Sequence, residues 1–99
     1  MMQRFRSMLF APGNKSELLR KLPKIQPDAA IVDLEDAVPN EEKENARKNF
    51  QEFIGSKQTK HLSVFPRVNP ISSTHFELDL QALPADLNCV VIPKINNLE

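Results

Sequence analysis

PDAAIVDLEDAV, residues 27 to 38, is the stretch on which the reading of this chain turns. Residues 29 to 34 form a near-continuous apolar run with β-branched Ile31 and Val32 inside it, the pattern of a parallel strand covered on both faces. The run ends against Asp33, Glu35 and Asp36. Carboxylates this close repel one another unless a cation or hydrogen-bond donors offset the charge. Asp33 and Glu35 stand two apart, so on a continued extended path they point to the same side, and Asp36 begins the turn.

Working outward, residues 7 to 11 (SMLFA) are a short apolar run stopped by Pro12 and Gly13, which predicts another strand. Between the two lies NKSELLRKLPKI, where Asn14 or Ser16 could cap a helix whose face carries Leu18, Leu19 and Leu22 before Pro23 interrupts it. After Pro39, the spacing predicts a helix over residues 41 to 54. Asn40 would be its cap, Glu41 and Glu42 would lie in its first turn, Ala46, Phe50, Phe53 and Ile54 would be its apolar positions, and Gly55 its stop. Residues 61 to 69 (HLSVFPRVN) read as a third strand, weakened by Pro66, which removes a ladder donor. HFELDLQALP reads as a short helix, with Asp79 on its exposed polar side, and residues 87 to 95 (LNCVVIPKI) as a fourth strand.

The order is strand and helix in alternation, which argues for a parallel sheet with right-handed crossovers. Two closures fit. An open doubly wound sheet suits 99 residues, although only two glycines are present and APGN does not supply a dinucleotide-binding G-x-G-x-x-G. A (β/α)8 barrel fits the same order but needs about 250 residues, so residues 1–99 would then be its N-terminal half. Length alone favours the open sheet.

Composition narrows the function classes. With 40% apolar and 26% charged residues the chain reads as soluble and globular. Thirteen basic residues balance thirteen acidic ones, so no overall field draws it to nucleic acid or an anionic membrane. The apolar run before Pro12 is too short for the ~7 to 15 residues of a signal sequence, and none reaches the ~18 of a membrane span. A single cysteine, Cys89, excludes an internal disulfide and sits in an apolar run as a buried structural thiol. A reducing, cytoplasmic setting is expected.

In a parallel β/α array reactive side chains collect at the C-terminal ends of the strands. Here those ends carry PGNK, DLED, PRVN and PKIN. Arg67 and Lys94, at neighbouring ends, could offset the acids. In the plainer alternative, Asp33 and Asp36 bond to loop amides and Glu35 faces water. Arg67 is suited to gripping a carboxylate or carbonyl in bidentate fashion, and equally to pairing with the DLED acids. Lys15 and Lys94 read as solvated, and His61 and His75 lack metal-like spacing.

Together RSMLFAPGN (6 to 14), DAAIVDLEDAVPNEEKENAR (28 to 47, with Lys43 and Arg47), PRVNP (66 to 70) with Asp79 following, and VVIPKI (90 to 95) resemble, in order and spacing, the N-terminal part of the citrate lyase β-subunit-like proteins of the HpcH/HpaI aldolase superfamily. The resemblance implies a (β/α)8 barrel and Mg²⁺-dependent making or breaking of a C–C bond in CoA thioesters of the citryl-CoA or malyl-CoA type. It implies that Arg67 holds substrate oxygens, that Glu35 and Asp36 orient metal-bound water or nearby basic groups, and that Lys15 assists substrate binding. The direct metal ligands, a Glu and an Asp, would belong to strands beyond Glu99. A half barrel would leave open parallel edges, so association with the missing half or homo-oligomerisation is expected. The alternative is a non-catalytic α/β module that binds an anionic ligand or pairs with a partner chain.

Overall fold

The computed structural model describes residues 8–56, 59, 62–84 and 90–92. Its elements run β1 (Met8–Pro12), α1 (Ser16–Ile25), β2 (Ala29–Asp33), a 3-10 turn (Asn40–Glu42), α2 (Lys43–Ile54), β3 (Val64–Arg67) and α3 (Thr74–Gln81). The three strands form one parallel sheet in the order β1-β2-β3. The apolar run that opened the sequence reading is the central strand, buried at all five positions.

Register and alternation divide the sheet into two faces. Leu9, Ala11, Ala30, Val32 and Val64 join Leu19, Leu22, Ala46, Phe50 and Phe53 of the helices in the main apolar cluster. The alternate positions align Phe10, Ile31 and Phe65 across the strands, and beyond them Pro12, Asp33 and Arg67. Phe10 on this second face is 59% exposed. Asp33 and Arg67 are thus register partners on the face away from the helices, at the C-terminal end of the sheet.

Several local expectations are corrected. Pro23 lies inside α1 instead of ending it. Its missing N–H forfeits one helical bond, but buried Leu19 and Leu22 anchor the turn, and Gln26 in the left-handed region closes it with its N–H on the Leu22 carbonyl. Neither Asn14 nor Ser16 caps α1, whose N-cap position is Lys15 with no side-chain bond, and Asn40 opens the 3-10 turn instead of capping a helix. Pro66 sits within β3 without breaking its pairing to β2. The Pro66 carbonyl and the Val68 N–H both pair with Val91, so the absent donor falls on that side of the strand. Val91 makes a parallel bridge to Arg67, while most of the expected fourth strand, Cys89 and Lys94 included, lies outside the described residues, as does His61. No helix among the described residues is long and apolar enough to cross a membrane.

Candidate active site at the strand ends

The end of β1 is fixed by close approach. Gly13 donates its N–H to the Asp33 carbonyl (2.7 Å), and its own carbonyl accepts from Asn49 Nδ2 (2.9 Å). A Cβ at Gly13 would lie 2.9 Å from Leu34 Cδ2, 3.0 Å from Ala46 Cβ and 3.1 Å from the Asp33 oxygen. The glycine therefore lets the first loop lie against the root of the acidic turn.

At the end of β2, Asp33 organises that turn. Its Oδ1 accepts from the Glu35 N–H (2.9 Å) and its Oδ2 from the Ala37 N–H (3.0 Å). The same two oxygens accept from Arg67 Nε (3.1 Å) and Nη2 (2.7 Å). Burial pushes the Asp33 carboxyl up, but Arg67 and the two amides outweigh it and hold the group below the usual carboxylate range. The bond to Asp33 in turn raises Arg67. Glu35 Oε1 stands 3.9 Å from Arg67 Nε, and Asp36 is exposed.

Arg67 thus uses one edge of its guanidinium on Asp33. Of five N–H donors, Nε–H and one on Nη2 are committed to Asp33, and the remaining three, two on Nη1 and one on Nη2, have no hydrogen-bond partner among the described residues. Of the two readings open for Arg67, a grip on a ligand and pairing with the DLED acids, the structure shows the pairing, with Asp33 as its bidentate partner. Asp33 does bond loop amides, as the plainer alternative held. Lys15 lies in the loop after β1, exposed, with its carbonyl accepting from Leu18 and Leu19, and no described contact joins it to Glu35 or Arg67.

Behind the site lies a polar cluster that reading the sequence did not find. Lys43, the first residue of α2, is buried and donates from Nζ to the carbonyls of Leu34 (3.2 Å) and Glu35 (2.8 Å). Burial lowers its pKa, against the opposing pull of Asp79, Glu35 and Asp33. Asn69 Nδ2 donates to the same Leu34 carbonyl (3.0 Å) and to Asp79 Oδ2 (2.5 Å), which also takes the Asn69 N–H (2.7 Å). Arg47 Nη1 meets Asp79 Oδ1 at 2.9 Å. Asp79 was expected on an exposed helix face. It is fully buried, because α3 turns it inward toward Arg47 and the end of β3. The available signal was its spacing: Asp79 stands three after Phe76 and four before Leu83, both packed on the core. His75 is half-buried, with Nδ1 lacking a partner among the described residues.

Among the described residues no three His, Cys, Asp or Glu side chains converge to hold a metal ion, and Asp33 is committed to Arg67 and two amides. These residues do not supply a magnesium ligand set. What they assemble is a cation fixed by one edge, with a carboxylate beside it, at the open end of a parallel sheet.

A family model described as HpcH/HpaI aldolase/citrate lyase matches residues 6–99. A citrate lyase subunit beta-like protein of Deinococcus radiodurans is 47% identical over 96 residues, covering 91% of this chain and 33% of the relative. A (3S)-malyl-CoA thioesterase of Cereibacter sphaeroides is 36% identical, covering 93% and 33%. The crystal structure of CitE from Mycobacterium tuberculosis in complex with magnesium, acetoacetate and coenzyme A superposes with a TM-score of 0.73 at 27% identity, covering 89% of this chain and 32% of that one. The chain spans about a third of the length of the relatives it matches. Its parallel β/α units are those of part of a (β/α)8 barrel, so the barrel, not the open sheet favoured by length, is the architecture. The chain belongs to the HpcH/HpaI aldolase/citrate lyase family.

Proposed function

We propose that the full-length protein is a Mg²⁺-dependent carbon–carbon lyase acting on an acyl-CoA thioester of the citryl-CoA or malyl-CoA type, in which Arg67 faces the developing enolate. The observation that carries this reading is the Asp33 clamp, which fixes Arg67 by its Nε edge and, among the described residues, leaves three donors without a hydrogen-bond partner at the C-terminal end of the sheet. In such a cleavage the substrate hydroxyl loses its proton and the C–C bond breaks. Its electron pair passes into the thioester carbonyl as an enolate, which then takes a proton at carbon. A pre-oriented guanidinium stabilises the oxygen where that charge develops, and it needs no rearrangement to do so. Glu35 and Asp36 orient neighbouring groups, Lys15 contributes positive charge near the substrate, and the magnesium ligands come from outside the described residues. Cytoplasmic location and assembly into oligomers belong to the same proposal, and sedimentation of the purified protein tests the latter.

Thioester hydrolysis is the second reading, favoured by the 36% identity to a malyl-CoA thioesterase. One incubation separates the two. The full-length protein is supplied with citryl-CoA or malyl-CoA and Mg²⁺, and the products are resolved chromatographically. Acetyl-CoA with the matching keto acid is expected. Free CoA with intact citrate or malate selects the hydrolase, and no turnover of either substrate contradicts both and returns the chain to the non-catalytic module.

A further inference from the structure

Beyond the strand-end pair, the structure contains a buried polar assembly with no part in the proposed chemistry. Lys43 starts α2, Asn69 follows β3 and Asp79 lies in α3, yet all bear on the segment that carries Glu35. Lys43 and Asn69 converge on one carbonyl, that of Leu34, and Lys43 also takes the carbonyl of Glu35 itself. Leu34 N–H in turn donates to the Arg67 carbonyl at 2.9 Å. One residue, through its N–H on one side and its carbonyl on the other, thus links the acidic turn, the backbone of the site arginine and the buried cluster.

A buried ammonium costs much desolvation unless it is well satisfied, and an apolar side chain at Lys43 would fill the stripe made by Ala46, Phe50 and Phe53 without that cost. Packing therefore does not account for a lysine there. What a lysine adds is a pair of charge-assisted bonds that fix two successive carbonyls of an otherwise irregular turn. Asp79 anchors the other side: with Arg47 on one oxygen and both Asn69 donors on the other, it holds Asn69 at Leu34 from the opposite flank.

We propose that Lys43 and Asn69, the latter braced by Asp79 and Arg47, are positioning residues that set the Leu34–Glu35 backbone so that Asp33 clamps Arg67 and Glu35 stands beside it. This rests on the reading of Arg67 as a site residue, and its test includes a measurement independent of turnover. In the full-length protein with selectively ¹⁵N-labelled arginine, the Arg67 Nε–H reports the clamp, because the bond to Asp33 Oδ1 protects that proton from exchange with water. Lys43→Met and Asn69→Ala are each expected to speed its exchange at least tenfold. The control is Gln51→Ala, which removes a comparable side-chain bond, from Nε2 to the Ala82 carbonyl, on the far part of α2. It is expected to leave Arg67 exchange within twofold of wild type, at whatever cost in melting temperature. Unchanged exchange in both Lys43→Met and Asn69→Ala overturns the proposal, and so does an equal acceleration in Gln51→Ala, which would mean that general loosening suffices. Where turnover is measurable, kcat/KM should fall roughly 10- to 100-fold in Lys43→Met, the loss usual for an outer partner of a site group. The exchange data decide the positioning claim even if acyl-CoA cleavage is not found, and that result would contradict only the lyase reading.

Discussion

Two carboxylate–guanidinium pairs sit close together in this molecule, and they differ in how far each is closed off from the end of the sheet. Asp79 and Arg47 meet at 2.9 Å with side chains 0% and 12% exposed, and the second Asp79 oxygen is taken by Asn69. Asp33 and Arg67 meet at 2.7 Å, but the Arg67 side chain is 27% exposed and its other edge has no hydrogen-bond partner among the described residues. Both satisfy an acid with an arginine. The first is almost wholly buried, so its charge is spent within the structure. The second lies on the face opposite the helices, at the end of the sheet, so part of its field remains available to a ligand.

The sharpest way to break this contrast is at the sealed pair. Asp79→Ala leaves Arg47 and both Asn69 donors without their acceptor in a buried setting. It should cost about 3–5 kcal/mol, read as a lowered urea midpoint at unchanged slope. A loss below about 1 kcal/mol would mean that the cluster is wetter than its burial implies. Gly13→Ala comes next. Its Cβ meets Leu34, Ala46 and the Asp33 carbonyl at 2.9 to 3.1 Å, so about 1–3 kcal/mol of overpacking is expected from the same measurement.

The half-open pair should respond less, and with pH. Asp33→Asn keeps the shape but removes charge from its bonds, for a loss of about 1–2 kcal/mol near neutral pH. The folded pKa of Asp33 is depressed, so its contribution is fully present above the unfolded value, about 3.9, and is lost as pH falls through the lower folded value. Urea titrations from neutral pH into acid should therefore show wild type converging on Asp33→Asn. A gap that stays constant in acid would contradict the clamp. Glu35→Gln should be the mildest of the series for the fold, within about 0.5 kcal/mol, because its contact with Arg67 is 3.9 Å and partly open. Kinetics on the same variant should nonetheless fall roughly 10- to 100-fold.

How much of this was legible beforehand follows the same division. The apolar run at residues 29 to 34, the Pro12-Gly13 stop and the periodicity of α2 give the parallel β/α order, because strand and helix periods are local properties. The pairing of strand-end acids with Arg67 was open as one of two readings, since alternation in a parallel array brings neighbouring ends together. The buried cluster was missed because a charged residue on a helix is ordinarily a solvated one. Lys43 stands three before Ala46 and seven before Phe50, on the buried stripe, a spacing that the apolar positions taken alone do not bring out. Only the tertiary fold supplies the carbonyls of Leu34 and Glu35 that make its burial tolerable. Pro23 was read as a stop because its local penalty is real, yet Leu19 and Leu22 pack well enough to carry the helix past it.

The central claim is that Arg67 is oriented for chemistry while Arg47 is oriented for the fold, and Arg67→Lys in the full-length protein tests it most directly, with melting temperature and steady-state kinetics measured on one preparation. Lysine keeps the charge but loses the planar fork that meets Asp33 with one edge and a ligand with the other. The expected result is a melting temperature within a few degrees of wild type, with kcat/KM for citryl-CoA or malyl-CoA lowered at least ~100-fold, or about 2.7 kcal/mol. A variant that melts many degrees lower while its folded fraction turns over substrate at the wild-type rate would contradict the claim and make the Asp33–Arg67 pair a second structural bridge.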